Sequence, residues 1–307
     1  MKIFIDRAPV TGPWGGGNKT VTELTNQLRE AGAEVIHHLG DEDIDIIFCF
    51  DPRPNKFGLW YQHYANYKSR YGCKIIQRVG DLGTHGKPEL TELVRQSIKF
   101  SDFLIFPSAW AKEWIGYDGA NSLVINNAPM KIFHKFKRNT ELTTPINLVT
   151  HHWSTNVKKG FSFYKKLDEF VGANMDFQFT FIGRIPEGFK FKNSKYIEPI
   201  GNNEHLAELM AHSDIYVTAS EEEAGANHVL EAVASGLPIL FHESGGSIVN
   251  YCKDYGLPFG SFQTFQDALV NMKDSYNDHK RIVMEYDNDI VTTVEKYRNL
   301  IWKIAKK

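Results

Sequence analysis

The chain has 307 residues, with 35 Lys and Arg against 37 Asp and Glu, a balance that excludes the basic footprint of a nucleic-acid-binding domain. Its length allows two domains with cores of their own. Cys49, Cys73 and Cys252 are odd in number and lack C-x-x-C spacing, so reduced thiols in a cytoplasmic protein are expected; no apolar run approaches the roughly 20 residues of a spanning helix, and membrane contact is expected only peripherally, at the inner face.

Lys2-Ile3-Phe4-Ile5 reads as a first strand, and it runs into GPWGGGNKT at residues 12–20. A phosphate-binding P-loop anchored on Lys19-Thr20 would need glycine where the chain has Pro13 and Asn18. The dinucleotide fingerprint keeps Gly15 and Gly17 but has Thr20 for its third glycine, and the second strand ends in His37-His38 instead of an acid. By itself the cluster reads as a flexible turn ahead of a helix. That helix places Val21, Leu24 and Leu28 on one face and ends at Gly32.

AEVIHH, IDIIFCF, CKIIQRV, DFLIFP and SLVINN follow as strands, with helices at PELTELVRQSIKF and SAWAKEWI. The segment KFGLWYQHYANYKSRYG spaces Phe57, Trp60, Tyr61, Tyr64 and Tyr71 along a helical face. Core packing is the first expectation for such a stripe; an acceptor platform or membrane contact beside Lys56, Lys68 and Arg70 is the rival. The pattern pauses at KFKRNTELTTP, residues 135–145, which reads as a linker closing a first domain at residue 138.

A second series fills residues 145–285: INLVTHH, a helix burying Phe163, Tyr164, Leu167, Phe170 and Val171, then FQFTFIG, HLAELMAHS, DIYVTAS, ANHVLEAVASG and LPILFH. Residues 286–307 hold a last helix, with Val294, Tyr297, Ile301 and Ile304 spaced to pack back on the first domain. Alternating strands and helices predict an α/β chain of two Rossmann-like doubly wound domains facing each other across a cleft, with ligands beyond the carboxyl ends of the strands.

The stretch most informative about chemistry is DIYVTASEEEAGANHVLEAVASGLPIL, residues 214–240. A strand end, a small-residue turn and a helix N-terminus meet two carboxylates, Glu223 before the helix and Glu231 one turn beyond Asn227. Backbone N–H groups there can face an anion, and the carboxylates can accept hydrogen bonds from a polyol. Singly, each acid is better explained by helix capping and the helix dipole. Together with Ser220, Ala232, Ala234, Gly236 and Pro238 they resemble the S-x-x-E-x7-E-A-x-A-x-G-x-P pattern of retaining glycosyltransferases of the GT-B architecture, most closely family 4, of bacterial polysaccharide or O-antigen type. VINNAPMKIF, VKKGF, FTFIG and FHESGGSIVNYC resemble further segments of that family.

The resemblance implies a nucleoside-diphosphate sugar as donor, a glycan or lipid-linked glycan as acceptor, and no metal or other cofactor. Glu231 would bind the ribose hydroxyls and Glu223, as the catalytic-site acid, the transferred sugar. The amides of Gly225, Ala226, Asn227 and His228 would hold sugar and diphosphate. Lys159 would neutralise the diphosphate, and Gly15, Gly16 and Gly17 would approach it from the first domain. His85, in VGDLGTHGK, would lie beside the reacting sugar. The family's arginine before the Lys-Gly pair is missing near Trp153 and Ser154, so Arg184 is the expected substitute; a usual glycine is Ala226 and a usual glutamate is Asn250.

Asp43-Ile44-Asp45 has the spacing of a metal-binding Asp-x-Asp but precedes its strand, and reads as solvated edge charge. The pairs His37-His38 and His151-His152 would point to opposite faces of their strands, and neither has metal-ligand spacing. A nucleotide-sugar 2-epimerase of the same architecture and a non-catalytic sugar-nucleotide binding protein are the alternative functions.

Overall fold

The computed structural model describes residues 1–10 and 16–306. Its contacts divide the chain into two domains, Met1–Asn127 with Ile290–Lys307, and Ala128–Asp289.

The first domain runs β1 (Lys2–Ile5), α1 (Gly16–Glu30), β2 (Glu34–Ile36), β3 (Ile46–Cys49), α2 (Tyr61–Tyr71), β4 (Lys74–Arg78), α3 (Pro88–Ser97), β5 (Phe103–Phe106), α4 (Ala109–Ile115) and β6 (Ser122–Val124). Its sheet is parallel throughout, in the order β2-β1-β3-β4-β5-β6. A parallel sheet is covered on both faces, which is why β3 and β5 are continuous apolar runs, Ile-Ile-Phe-Cys and Phe-Leu-Ile-Phe. Of that stripe Tyr61 and Tyr64 are buried, with Tyr67, in a cluster with Phe4 and Ile47; Trp60 and Tyr71 are partly buried against it, and Phe57 is 63% exposed.

The second domain comprises α5 (Ile132–Lys135), β7 (Ile146–His152), α6 (Phe161–Ala173), β8 (Phe177–Gly183), β9 (Lys195–Ile197), α7 (Asn203–Ala211), β10 (Ile215–Thr218), α8 (Asn227–Ala234), β11 (Ile239–His242), α9 (Ser247–Cys252), β12 (Gly256–Phe259), α10 (Phe262–Asp274) and α11 (Tyr276–Glu285). Its sheet is also parallel, in the order β12-β11-β10-β7-β8-β9. The chain proceeds from β7 to one side and returns at β10 to proceed to the other, so the switch point lies between β7 and β10, where a doubly wound sheet opens a crevice for ligands.

The domain boundary differs from the expected linker. Phe133 is fully buried in the second domain's core, with Met130, Ile132 and Phe136 packed beside it. Lys137 Nζ donates to the carbonyls of Met284 (3.2 Å) and Tyr286 (2.6 Å), tying the segment to the end of α11. The second domain therefore begins at Ala128, not at residue 145, and extends through Asp289, past residue 285. The last helix, α12 (Ile290–Ala305), belongs to the first domain. It packs on α1, where Gln27 Nε2 donates to the Val291 carbonyl, and Arg78 Nε donates to the Tyr297 hydroxyl.

Asp43 and Asp45 are not merely solvated: Lys2 Nζ reaches Asp43 at 2.8 Å and the Lys2 amide donates to Asp45 at 2.7 Å, tying the loop before β3 to the start of β1. Among the described residues no helix is long and apolar enough to cross a membrane.

Candidate functional site

At the switch point of the second domain, β7 ends in His151-His152 and β10 in Thr218. Successive residues of a strand face opposite ways. The ring of His151 turns to α8, with Nε2 2.9 Å from Glu231 Oε2 and Nδ1 3.1 Å from the Tyr216 hydroxyl. The ring of His152 turns to α6, with Nε2 2.6 Å from the Tyr164 hydroxyl. Burial pushes the Tyr164 hydroxyl up to about 12, so it keeps its proton through the neutral range. His228 closes the group, with Nε2 3.2 Å from Thr218 Oγ1 and its ring edge-on to His152 at 5.2 Å.

Glu231 is 5% exposed. Val229, Leu230, Ala232, Val233 and Ala234 around it are buried as well, so α8 is enclosed on every side and carries one carboxylate into that interior. Burying a carboxylate costs several kcal/mol unless its hydrogen bonds are met. His151 supplies one such bond.

The loop from β10 to α8 is positioned by two close backbone approaches. Gly160, at φ +82°, ends the single 3-10 turn Val157–Lys159, and a Cβ there would meet the Ala219 carbonyl at 2.5 Å. Gly246, at φ +67°, lies in a parallel bridge with Glu223, and a Cβ there would meet the Glu223 carbonyl at 2.7 Å. Only glycine fits either place. The Glu223 amide donates to the Gly245 carbonyl (3.2 Å), and the Ser247 amide donates to the Glu223 carbonyl (2.8 Å). Glu222 takes φ +52° in that loop, and Lys158 Nζ meets its carboxylate at 2.7 Å, a contact that raises the lysine's pKa. Backbone strain of this kind is concentrated at functional sites.

These approaches bring Lys159 Nζ onto Glu223 Oε1 as an ion pair, with both side chains largely buried. Beside it α8 opens at Ala226, which provides no capping side chain; its own amide donates to Ser247 Oγ at 3.0 Å. Asn227 and His228 follow as the first helical residues, so their amides carry the partial positive charge of the helix start. Lys159, Glu223, Gly225, Ala226, Asn227, His228 and Glu231 are thus gathered around the ends of β7 and β10.

The remaining sequence-derived candidates lie elsewhere. Arg184 follows β8, exposed, with its amide donating to the His152 carbonyl at 3.1 Å. His85 is half-buried in a first-domain loop after β4, which is fixed by Asp81 accepting from the Gly83 amide and Lys87 Nζ. Gly16 and Gly17 form the first turn of α1 rather than a loop before it, and Gly15 lies outside the described residues. Sequence reasoning passed over His151, whose Glu231 partner is 80 positions away. Its signal was the histidine pair at the end of a buried strand. Among the described residues no group of three or more His, Cys, Asp and Glu side chains is placed to hold a metal ion.

Residues 148–273, nearly the whole of the second domain's sheet and this entire constellation, match the family model described as glycosyl transferases group 1. Over that segment the second domain is similar to the group 1 glycosyl transferases. The GT-B fold extends over the whole chain. HepE of Anabaena, crystallised with UDP, superposes with a TM-score of 0.68 at 12% identity, over 98% of this chain and 99% of that one. WaaG, a glycosyltransferase involved in lipopolysaccharide biosynthesis, gives 0.66 at 14% identity over 98% and 99%. Sucrose-phosphate synthase from Thermosynechococcus elongatus gives 0.65 at 12% identity over 99% and 97%. At such identities the likeness is one of fold. No curated protein sequence matches the chain.

Proposed function

We propose that this protein is a glycosyl transferase that moves a sugar from a nucleoside diphosphate to a glycan or lipid-linked glycan acceptor, with retention of anomeric configuration and without a metal ion. The observation that carries the reading is the meeting of Lys159, Glu223, the α8 N-terminus and buried Glu231 at one switch point, inside the segment that matches the family.

A nucleotide sugar has three parts, and this place offers chemistry for each. Glu231 accepts the ribose hydroxyls. Lys159 and the amides of Ala226, Asn227 and His228 meet the diphosphate, whose charge grows as the glycosidic bond breaks; preorganised donors at such a position lower the barrier directly. Glu223 accepts hydroxyls of the transferred sugar. Arg184 adds positive charge after β8. Complexes of HepE with UDP, and with UDP-glucose, support a uridine nucleotide as the first donor to try. Retention follows the family resemblance, with a leaving phosphate oxygen taking the acceptor's proton.

A thermal-shift screen against UDP-, GDP-, ADP- and TDP-sugars identifies the donor, because a ligand bound to the folded state raises its melting temperature. Transfer is then measured with that donor and glycan acceptors, with and without EDTA, and the product anomer is assigned by NMR. Net epimer formation without acceptor would overturn the transferase reading in favour of an epimerase, and donor binding without turnover for any acceptor would leave a binding protein.

A further inference from the structure

The His151 imidazole stands between two buried partners. Its Nε2 lies 2.9 Å from Glu231 Oε2, and its Nδ1 lies 3.1 Å from the Tyr216 hydroxyl. Tyr216 is fully buried, and burial holds its hydroxyl pKa well above the ordinary value, so the O–H keeps its proton and can donate it. The same hydroxyl accepts the His151 amide at 3.1 Å, which fixes the phenol relative to the strand that carries the imidazole. The hydroxyl O–H is also within reach of the His151 carbonyl at 3.3 Å, and because an ionised carboxylate can only accept, the proton between the ring and Glu231 sits on Nε2.

Resting on the nucleotide-sugar reading above, we infer that His151 is a positioning residue for ribose recognition: through Nε2–H it holds the Glu231 carboxylate in the orientation that accepts the ribose hydroxyls, with Tyr216 fixing the imidazole behind it. Two features favour this over a structural pair alone. Glu231 is the one carboxylate on a helix that is otherwise apolar along its buried run, Val229 to Ala234. The pair stands at the strand switch point, where ligands enter such sheets. A carboxylate able to rotate would spend part of its hydrogen-bond energy on ordering when ribose arrives, and a fixed one would not.

The inference predicts a signature in the 2′-hydroxyl. The full-length chain is titrated calorimetrically with UDP and 2′-deoxy-UDP, and with GDP and 2′-deoxy-GDP, and the pair that binds more tightly is followed. The wild type should prefer the ribonucleotide by about tenfold, the order expected for one hydrogen bond to a carboxylate. His151→Phe should reduce that preference to less than about twofold, while His151→Gln, whose amide N–H reaches the position of Nε2–H, should restore most of it. Tyr216→Phe, which removes the second link and leaves the imidazole in place, should reduce it several-fold and serves if His151→Phe does not fold. A His151→Phe variant that keeps the full preference overturns the inference, as does one that loses affinity for both nucleotides equally, which is the behaviour of a purely structural pair. A wild type that binds the two nucleotides alike overturns the inference and leaves the donor reading standing. A wild type that binds no nucleoside diphosphate overturns the donor reading, and the inference with it.

Discussion

Lys159 and Glu223, 64 positions apart, form an ion pair that joins the turn after β7 to the loop after β10. On the proposed reading each holds the other where a donor would need it, Lys159 for the diphosphate and Glu223 for the sugar. Lys159→Met should therefore lower kcat by about a hundredfold, the scale reported for removing one donor that stabilises charge developing in a transition state. Glu223→Gln keeps the size of the side chain and should lower turnover more than donor affinity. Steady-state kinetics with the donor found by thermal shift checks both, and retention of kcat within threefold in Lys159→Met would remove the lysine from the site.

Glu231→Ala should weaken nucleoside diphosphate binding by about tenfold to a hundredfold, equivalent to the 1.5–3 kcal/mol of hydrogen bonds made by a charged group. It also leaves the buried His151 without its acceptor, so the melting temperature should fall. Titration calorimetry beside thermal denaturation separates the effects. A variant with a lowered melting temperature and unchanged affinity would assign Glu231 to the core alone.

Much of the fold was legible because parallel strands covered on both faces read as continuous apolar runs, and Ile46–Cys49, Phe103–Phe106 and Ile239–His242 all did. The strands that escaped are the edges of the second sheet. Lys195–Ile197 is short and half exposed, and Gly256–Phe259 carries Pro258, which a central strand would exclude. The linker was misplaced because Phe133 sits in a four-residue helix, too short to show a period. At the candidate site, the turn and both glutamates were visible as a local motif. By helical period Val229, Leu230, Val233, Ala234 and Leu237 share one face and leave Glu231 off it, but α8 has no solvent face across its middle, and enclosure by neighbouring elements cannot be read from one helix. The alternation of His151 and His152 was readable, whereas Glu231 and Tyr164 as their partners are tertiary facts.

Gly246 provides a test of the loop itself. A Cβ there would lie 2.7 Å from the Glu223 carbonyl and 2.8 Å from its amide nitrogen, at φ +67°. Gly246→Ala should cost about 1–3 kcal/mol in folding free energy, from strain and from displacement of the bridge. It should also reduce donor affinity, because the segment displaced carries Glu223. Gly188→Ala is the control: φ is +76°, but nothing lies within 4 Å of the added Cβ, so backbone strain is the whole cost and donor binding should be unchanged. Urea denaturation and nucleotide titration of the two variants check the contrast, and equal effects on donor binding would detach Gly246 from the site.

In the first domain, Asp6 follows β1 at the wall of a cavity of about 840 Å³ and is 5% exposed. Burial raises its pKa to about 7, against the opposing pull of the Phe50 and Asp51 amides, which donate to its two oxygens at 2.9 and 3.0 Å. The folded chain therefore holds a proton on Asp6 at pH values where the unfolded chain, with an ordinary carboxyl near 3.8, has released it. Since stability rises with pH only where the unfolded state binds more protons, this group acts in the opposite sense. Its contribution is fully present below about pH 4 and is lost as pH rises through 7, at up to about 1.4 kcal/mol per pH unit inside that window. Asp6→Asn, neutral at every pH, should remove this slope. Unfolding free energies of wild type and Asp6→Asn measured between pH 4.5 and 8 test it, the difference isolating Asp6 from carboxylates common to both. The gap should move in the variant's favour as pH rises, and a gap independent of pH would show that the carboxyl is ionised throughout and held by its two amide donors.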